Sequence, residues 1–207
     1  MKRTEGLFQK VLNNDQKLLE STKDEMNPEV FDLAVNMVSH ARHVYVVGVR
    51  SCAPLAEYLA FYLHQIRPDV YLIRTNSASE IFEQMLHIKE KDIVIGISFP
   101  RYSMRVLKAL EFANSRNAGI ITMTNSIHSP ICLYSSCNLL AHTEMSSIVD
   151  SMTAPLSVIN ALVAALCAKN KKAVMENLEE LDQIWQDFPV NSQDELNPIE
   201  AEENEEF

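Results

Sequence analysis

Between Arg42 and Ala141, five short runs of apolar, largely β-branched residues alternate with stretches of helical period, and this order is what most narrows the choice of fold. The runs fall at 43–49, 70–74, 92–97, 119–123 and 137–141. Between them Ala56, Leu59, Ala60 and Leu63 share one helical face. Ile81, Phe82, Met85 and Leu86 share a second, and Val106, Ala109, Leu110 and Ala113 a third. Strands joined through helices run parallel, and a parallel sheet needs cover on both faces. The predicted class is therefore α/β, a five-stranded parallel sheet flanked by helices on both sides.

The flanks add four more segments. Phe8, Val11, Leu12, Leu18, Leu19 and Thr22 form a helical stripe among polar residues, and 1–26 reads as an N-terminal arm or linker helix. A firmer helix begins at Asn27-Pro28-Glu29, which supplies an N-cap, a proline at the first position and an acid in the first turn. Its predicted apolar face is Val30, Leu33, Ala34, Met37, Val38 and Ala41, and Ser129-Pro130 reads as a further helix start. After the last strand, 151–168 is apolar nearly all round, and 171–188 repeats Val174, Leu178, Leu181, Trp185 and Phe188 at heptad-like spacing. That apolar surface predicts a homo-oligomer, a dimer or tetramer, with packing onto the arm helix as the alternative.

Charge narrows the partners. The formal net charge is −10, but Asn191 to Phe207 holds seven acids and no lysine or arginine, so residues 1–190 carry only −3. The expectation is a main domain over 27–190 and an acidic disordered tail over 191–207. No basic surface for binding nucleic acid is apparent in this chain, since phosphate-backbone affinity requires clustered Lys and Arg. No apolar run is long enough to span a membrane. Four cysteines without a CxxC pair fit a reducing, cytoplasmic setting.

Two strand ends hold the chemistry. After the first run comes Arg50-Ser51-Cys52, and after the third Ser98-Phe99-Pro100-Arg101-Tyr102-Ser103, each leading into a helix. A helix start presents unpaired N–H groups and the positive end of the dipole, so it holds an anion without a metal. The candidate anion site is Arg50, Ser51, Cys52, Ser98, Arg101 and Ser103. Either arginine could instead face solvent or pair with an acid such as Glu80 or Glu144. His128, Cys132, Cys137 and His142 were weighed as zinc ligands. They lack the short ligand loops of a structural site, and no metal or other cofactor is expected.

Several segments together resemble the SIS (sugar isomerase) domain, and within it the ligand-sensing half of RpiR/MurR-type transcriptional regulators: VYVVGVRSCAPLA (44–56), DIVIGISFPRYS (92–103), TNSIHSP (124–130) and VDSMTAPLSVINALV (149–163). The resemblance runs from about Asn27 to Phe188. It implies a flavodoxin-like three-layer fold and a phosphosugar bound at the carboxyl ends of the strands. It also implies that Ser98 and Ser103 match the first and last hydroxyls of the family's SxSGxT phosphate loop, and that Cys52 stands where the first loop usually has serine. Pro100 replaces the middle serine, Arg101 the glycine after it, and Arg50 the second glycine of the first loop. Because a guanidinium donates a planar fork of N–H bonds, these departures place anion-holding side chains where the family has bare backbone.

Three functions remain open on sequence grounds. The favoured one is a sensor that binds a phosphosugar or acidic amino sugar, as the effector module of an RpiR-type regulator whose helix-turn-helix domain is not in this chain. A standalone phosphosugar isomerase is the alternative. It would need a base, for which Glu80 and His87 are the weak candidates, with Glu83 beside them on a face that reads as solvated. An inert interaction module gives no reason for two arginine-bearing strand ends.

Overall fold

In the computed structural model, which describes residues 2–74, 77–144 and 149–187, five parallel strands form one sheet in the order β2-β1-β3-β4-β5. They are β1 (Val44–Gly48), β2 (Val70–Ile73), β3 (Ile93–Ile97), β4 (Gly119–Thr124) and β5 (Cys137–Leu140). All five lie within the predicted runs to about a residue. The three central strands are buried on both faces, which explains their unbroken apolar character. In register, Gly48 stands opposite Ile97 and Val47 opposite Gly96.

Helices α2 (Pro28–His40), α3 (Ala53–Ile66) and α6 (Thr153–Lys169) cover one face, and α4 (Ala78–Gln84) and α5 (Met104–Ser115) the other. The helix after β1 and the helix after β3 thus lie on opposite sides of the sheet. Between the carboxyl ends of those two strands the chain leaves in both directions, and this opens the crevice where ligands of such sheets bind.

Local signals account for the helix ends. Asn27 Oδ1 accepts from the Glu29 amide at 2.8 Å with Pro28 in the first turn, as predicted. At the other end of α2 the Arg67 guanidinium donates to the carbonyls of Val38 and Ala41, each at 2.6 Å, and of Arg42 at 3.0 Å. It thereby satisfies acceptors that a helix end leaves open. Just before β3, Asp92 is fully buried and accepts from Arg42 Nε (2.8 Å), Arg42 Nη2 (2.7 Å) and the Lys89 amide (2.7 Å). Burial pushes its carboxyl up. The two Arg42 bonds, the Lys89 amide and nearby His43 outweigh that and hold it below the ordinary carboxylate range.

Helix α1 (Lys2–Glu25) is longer than the predicted stripe and has two unlike halves. Residues 6–13 are exposed, including Leu7, Phe8, Val11 and Leu12. Further along, Leu18 and Thr22 are buried, α1 packs on α6, and Thr22 Oγ1 accepts from the His142 amide at 2.9 Å. Contact with α1, α2 and α3 covers much of the apolar surface of α6 noted in the sequence. Residues Met1–Asn170 form one compact unit. Helix α7 (Lys171–Asp187) belongs to a second, and its Met175, Leu178 and Ile184 are exposed.

Several expected faces need correcting. On α2 it is Val35 that is buried, while Leu33 is 42% exposed. Ile81 and Met85 are fully buried, but Phe82 and Leu86 are exposed. Ser129-Pro130 opens only a 3₁₀ turn, Pro130–Tyr134. Phe188 and the acidic segment 191–207 lie outside the described residues. Among the described residues, no single helix is long and apolar enough to cross a membrane.

Candidate functional site

At the crevice between β1 and β3 the two polar loops face each other across a cavity of about 180 Å³. Arg50, Ser51, Cys52, Ser98, Arg101 and Ser103 all line it, together with Val49, Phe99, Pro100 and Asp150. The six residues singled out from sequence are therefore neighbours in space. The volume is below the roughly 300–1,000 Å³ usual for a small-molecule pocket, so it suits the anionic head of a ligand rather than the whole.

The first loop turns sharply. Arg50–Cys52 form a 3₁₀ turn in which the Cys52 amide donates to the Val49 carbonyl at 3.2 Å, and α3 starts at the next residue. This turn brings the Cys52 carbonyl to within 2.6 Å of where a Cβ on Gly48 would sit, so a side chain there would obstruct it. Among the described residues, no side chain caps the start of α3. The Ala53 amide is nevertheless spent on the Arg50 carbonyl and Pro54 has no N–H, so the side chains of the loop, more than this helix start, supply donors for an anion.

In the second loop the hydroxyls shape the backbone. Ser98, buried at the end of β3, accepts from the Ser103 amide at 3.1 Å, and Ser103 caps α5 by accepting from the Arg105 amide at 3.2 Å. Each of these bonds uses the serine oxygen as acceptor and leaves its O–H as a donor. The Tyr102 hydroxyl donates to Asn125 Oδ1 at 2.9 Å, tying the loop to the end of β4.

Arg50 and Arg101 have φ of 57° and 64°, the left-handed conformation that glycine adopts freely. For a residue with a Cβ this costs about 1–2 kcal/mol, and such strain is concentrated at functional sites. The loops have kept a backbone suited to glycine while carrying guanidinium groups on it. Both arginines are exposed at the rim. Arg101 faces Asp150 at a loose 3.8 Å rather than Glu80 or Glu144.

Cys52 is buried, and burial pushes its thiol up. Burial outweighs the opposing effects of the Phe99 backbone and the Ser51 hydroxyl, and the Asp150 carboxylate adds a smaller push in the same direction as burial. A neutral thiol is a weak donor and a poor nucleophile at neutral pH.

The weak catalytic candidates are placed differently. Glu80 lines an adjoining cavity of about 430 Å³ with Arg50, Arg74, Arg105 and Glu57, in which Arg74 pairs with Glu57 at 3.7 Å. Helix α4 ends at Gln84, with Met85 already outside helical geometry. His87 consequently lies beyond that helix, exposed like Glu83, and lines neither cavity. Three of the four candidate zinc ligands have other partners. Cys137 Sγ donates to the Val30 carbonyl and burial pushes its thiol up to about 11, Cys132 Sγ donates to the Ser126 carbonyl, and His142 lies between Glu25 and Glu144. Among the described residues, no group of three or more His, Cys, Asp or Glu side chains stands together as a metal site.

Asp150 escaped the sequence reading. It precedes α6 in a loop without periodicity, and the one available signal was an acid just before a helix start in the segment 149–163.

The family model for the SIS domain matches residues 37–165. A curated relative, an uncharacterized HTH-type transcriptional regulator of Caldanaerobacter subterraneus subsp. tengcongensis, is 21% identical over 197 residues, which is 90% of this chain and 67% of the regulator. The sugar isomerase domain of an RpiR transcription factor from Sphaerobacter thermophilus superposes with a TM-score of 0.80 at 25% identity, covering 84% of this chain and 97% of that one. The Vibrio vulnificus NanR protein, solved in complex with ManNAc-6P, gives a TM-score of 0.77 at 17% identity over 89% of this chain and 70% of that one.

Proposed function

The chain belongs to the SIS domain family, and from that premise we propose that it is the phosphosugar-sensing module of an RpiR-type transcriptional regulator. The observation that carries this reading is the convergence of Arg50, Ser51, Cys52, Ser98, Arg101 and Ser103 on one cavity at the β1/β3 crevice, both arginines being in left-handed backbone. There a phosphoryl group would accept from the serine hydroxyls and from the two guanidinium groups. The ligand class is a phosphosugar or an acidic amino sugar. Relatives support it: the NanR structure contains ManNAc-6P, and the Caldanaerobacter relative is an HTH-type regulator. In this reading residues 1–26 are the arm that leads toward a DNA-reading domain, and the exposed apolar residues of α7 are where two chains associate.

Sensing is favoured over isomerisation because the carboxylate that lines the cavity, Asp150, is turned to Arg101, whereas a proton transfer between adjacent carbons requires a base placed against the sugar. Calorimetric titration with a panel of sugar phosphates that includes N-acetylmannosamine 6-phosphate tests the proposal. A ligand bound at micromolar concentration and recovered unchanged is the expected result. Incubating that ligand in deuterated water separates the alternative: deuterium entering the sugar at C2, and lost in Glu80→Gln, would make the protein an isomerase.

A further inference from the structure

Resting on the reading of the cavity as an anion site, a second question is how its occupancy reaches α1. Among the described residues Asp150 is the one acid that lines the cavity, and it faces Arg101 at 3.8 Å, with the Arg101 side chain 77% and the Asp150 side chain 29% exposed. An exposed ion pair of this length contributes little and separates at little cost. A phosphoryl group approaching Arg101 therefore meets a carboxylate already beside it, of the same sign as its own charge.

The next residue along the chain is held far more tightly. Ser151 is 6% exposed, its amide donates to the Thr143 carbonyl at 3.1 Å, and its hydroxyl donates to Asp15 Oδ1 on α1 at 2.6 Å. The Thr153 hydroxyl, at the first residue of α6, donates to Asp15 Oδ2 at 3.2 Å. Both oxygens of Asp15 are thus engaged by the segment that also carries Asp150. Asp15 lies close to the point where α1 changes from its exposed half, with Leu7, Phe8, Val11 and Leu12, to its packed half.

We propose that Asp150 competes with the ligand's anion for Arg101, and that its displacement on binding is carried to α1 through Ser151 and Asp15. Asp150 is then a positioning residue with two roles. It sets the threshold for anion entry, and it converts entry into a loosening of the Asp15 tie. If these groups only fastened the start of α6, the same bonds would exist but would be indifferent to the cavity.

Hydrogen exchange of the full chain, with inorganic phosphate as the probe, tells the two apart. Phosphate is expected to speed exchange at the α1 amides around residues 14–18 in the unaltered protein. Asp150→Asn should bind phosphate about fivefold more tightly, the affinity equivalent of an exposed ion pair near the top of its range. Ser151→Ala, and independently Asp15→Ala, which suits a helix, should bind phosphate as before while α1 no longer responds. Phosphate binding with equal affinity to the unaltered protein and to Asp150→Asn would overturn the competition. A response of α1 that persists in Ser151→Ala and Asp15→Ala would overturn the relay. Phosphate binding to none of these proteins would remove the anion site itself, and this proposal with it.

Discussion

Replacing Arg101 with glycine should move stability and affinity in opposite directions. The backbone at Arg101 has φ of 64°, which costs a residue with a Cβ about 1–2 kcal/mol and costs glycine almost nothing. Against that gain stands the pair with Asp150, which is long and largely exposed and is worth a few tenths of a kcal/mol. The net expectation is a stabilisation of about 1 kcal/mol, or roughly 2–4 °C in Tm for a chain of this size. Affinity for a sugar phosphate should fall by about 1.5–3 kcal/mol, roughly tenfold to a hundredfold, because a charge-assisted donor has gone. Arg101→Ala is the control, since alanine keeps the backbone cost and also lacks the guanidinium. It should bind as weakly as Arg101→Gly with no gain in Tm. Calorimetry gives both quantities. If Arg101→Gly melts no higher than Arg101→Ala, the strain argument is wrong; if both bind like the unaltered protein, Arg101 is not part of the site.

Gly48→Ala should destabilise by about 1–3 kcal/mol and weaken sugar phosphate binding, because the new Cβ meets the Cys52 carbonyl at 2.6 Å and displaces the first loop; denaturant unfolding and titration would register both. Asp92→Asn should cost about 1–3 kcal/mol by weakening the charge-assisted bonds to Arg42, less than for a wholly buried pair because the Arg42 side chain is 39% exposed, measured by urea unfolding near neutral pH. Since the folded carboxyl lies below its ordinary value, its contribution is complete above the unfolded pKa of about 4 and is lost as pH falls through the folded one, so the gap between variant and parent should close in acid. Leu178→Asp should shift sedimentation toward the monomer if α7 joins two chains, and an unaltered monomeric parent would remove that idea.

Periodicity located the three central strands because they are buried on both faces, where an apolar alphabet is compulsory, and the half-buried edge strands β2 and β5 through their short apolar runs between turns. It was less informative about helices. Leu33, Phe82 and Leu86 are apolar and exposed while Val35 is buried, since a short helix on a sheet has a narrow contact and the pattern does not show which edge of the stripe touches. The rim of the site was visible because both loops follow strands, and parallel strands bring their ends together. The left-handed backbone at Arg50 and Arg101 could be inferred only through the glycines they replace. Asp150 had no such marker: only the fold brings a residue after β5 to the loop after β3.

The sheet separates its tasks by end. Arg42, Asp92 and Arg67 fasten α2, β1 and β3 at the amino edge, about five residues and roughly 16 Å of strand from the loops that line the cavity. Changes that far apart and without shared partners combine additively. A lineage, or an engineer, can therefore redraw the rim without renegotiating how the chain folds. Any stability added at the base is a reserve against which riskier substitutions at the rim can be tried.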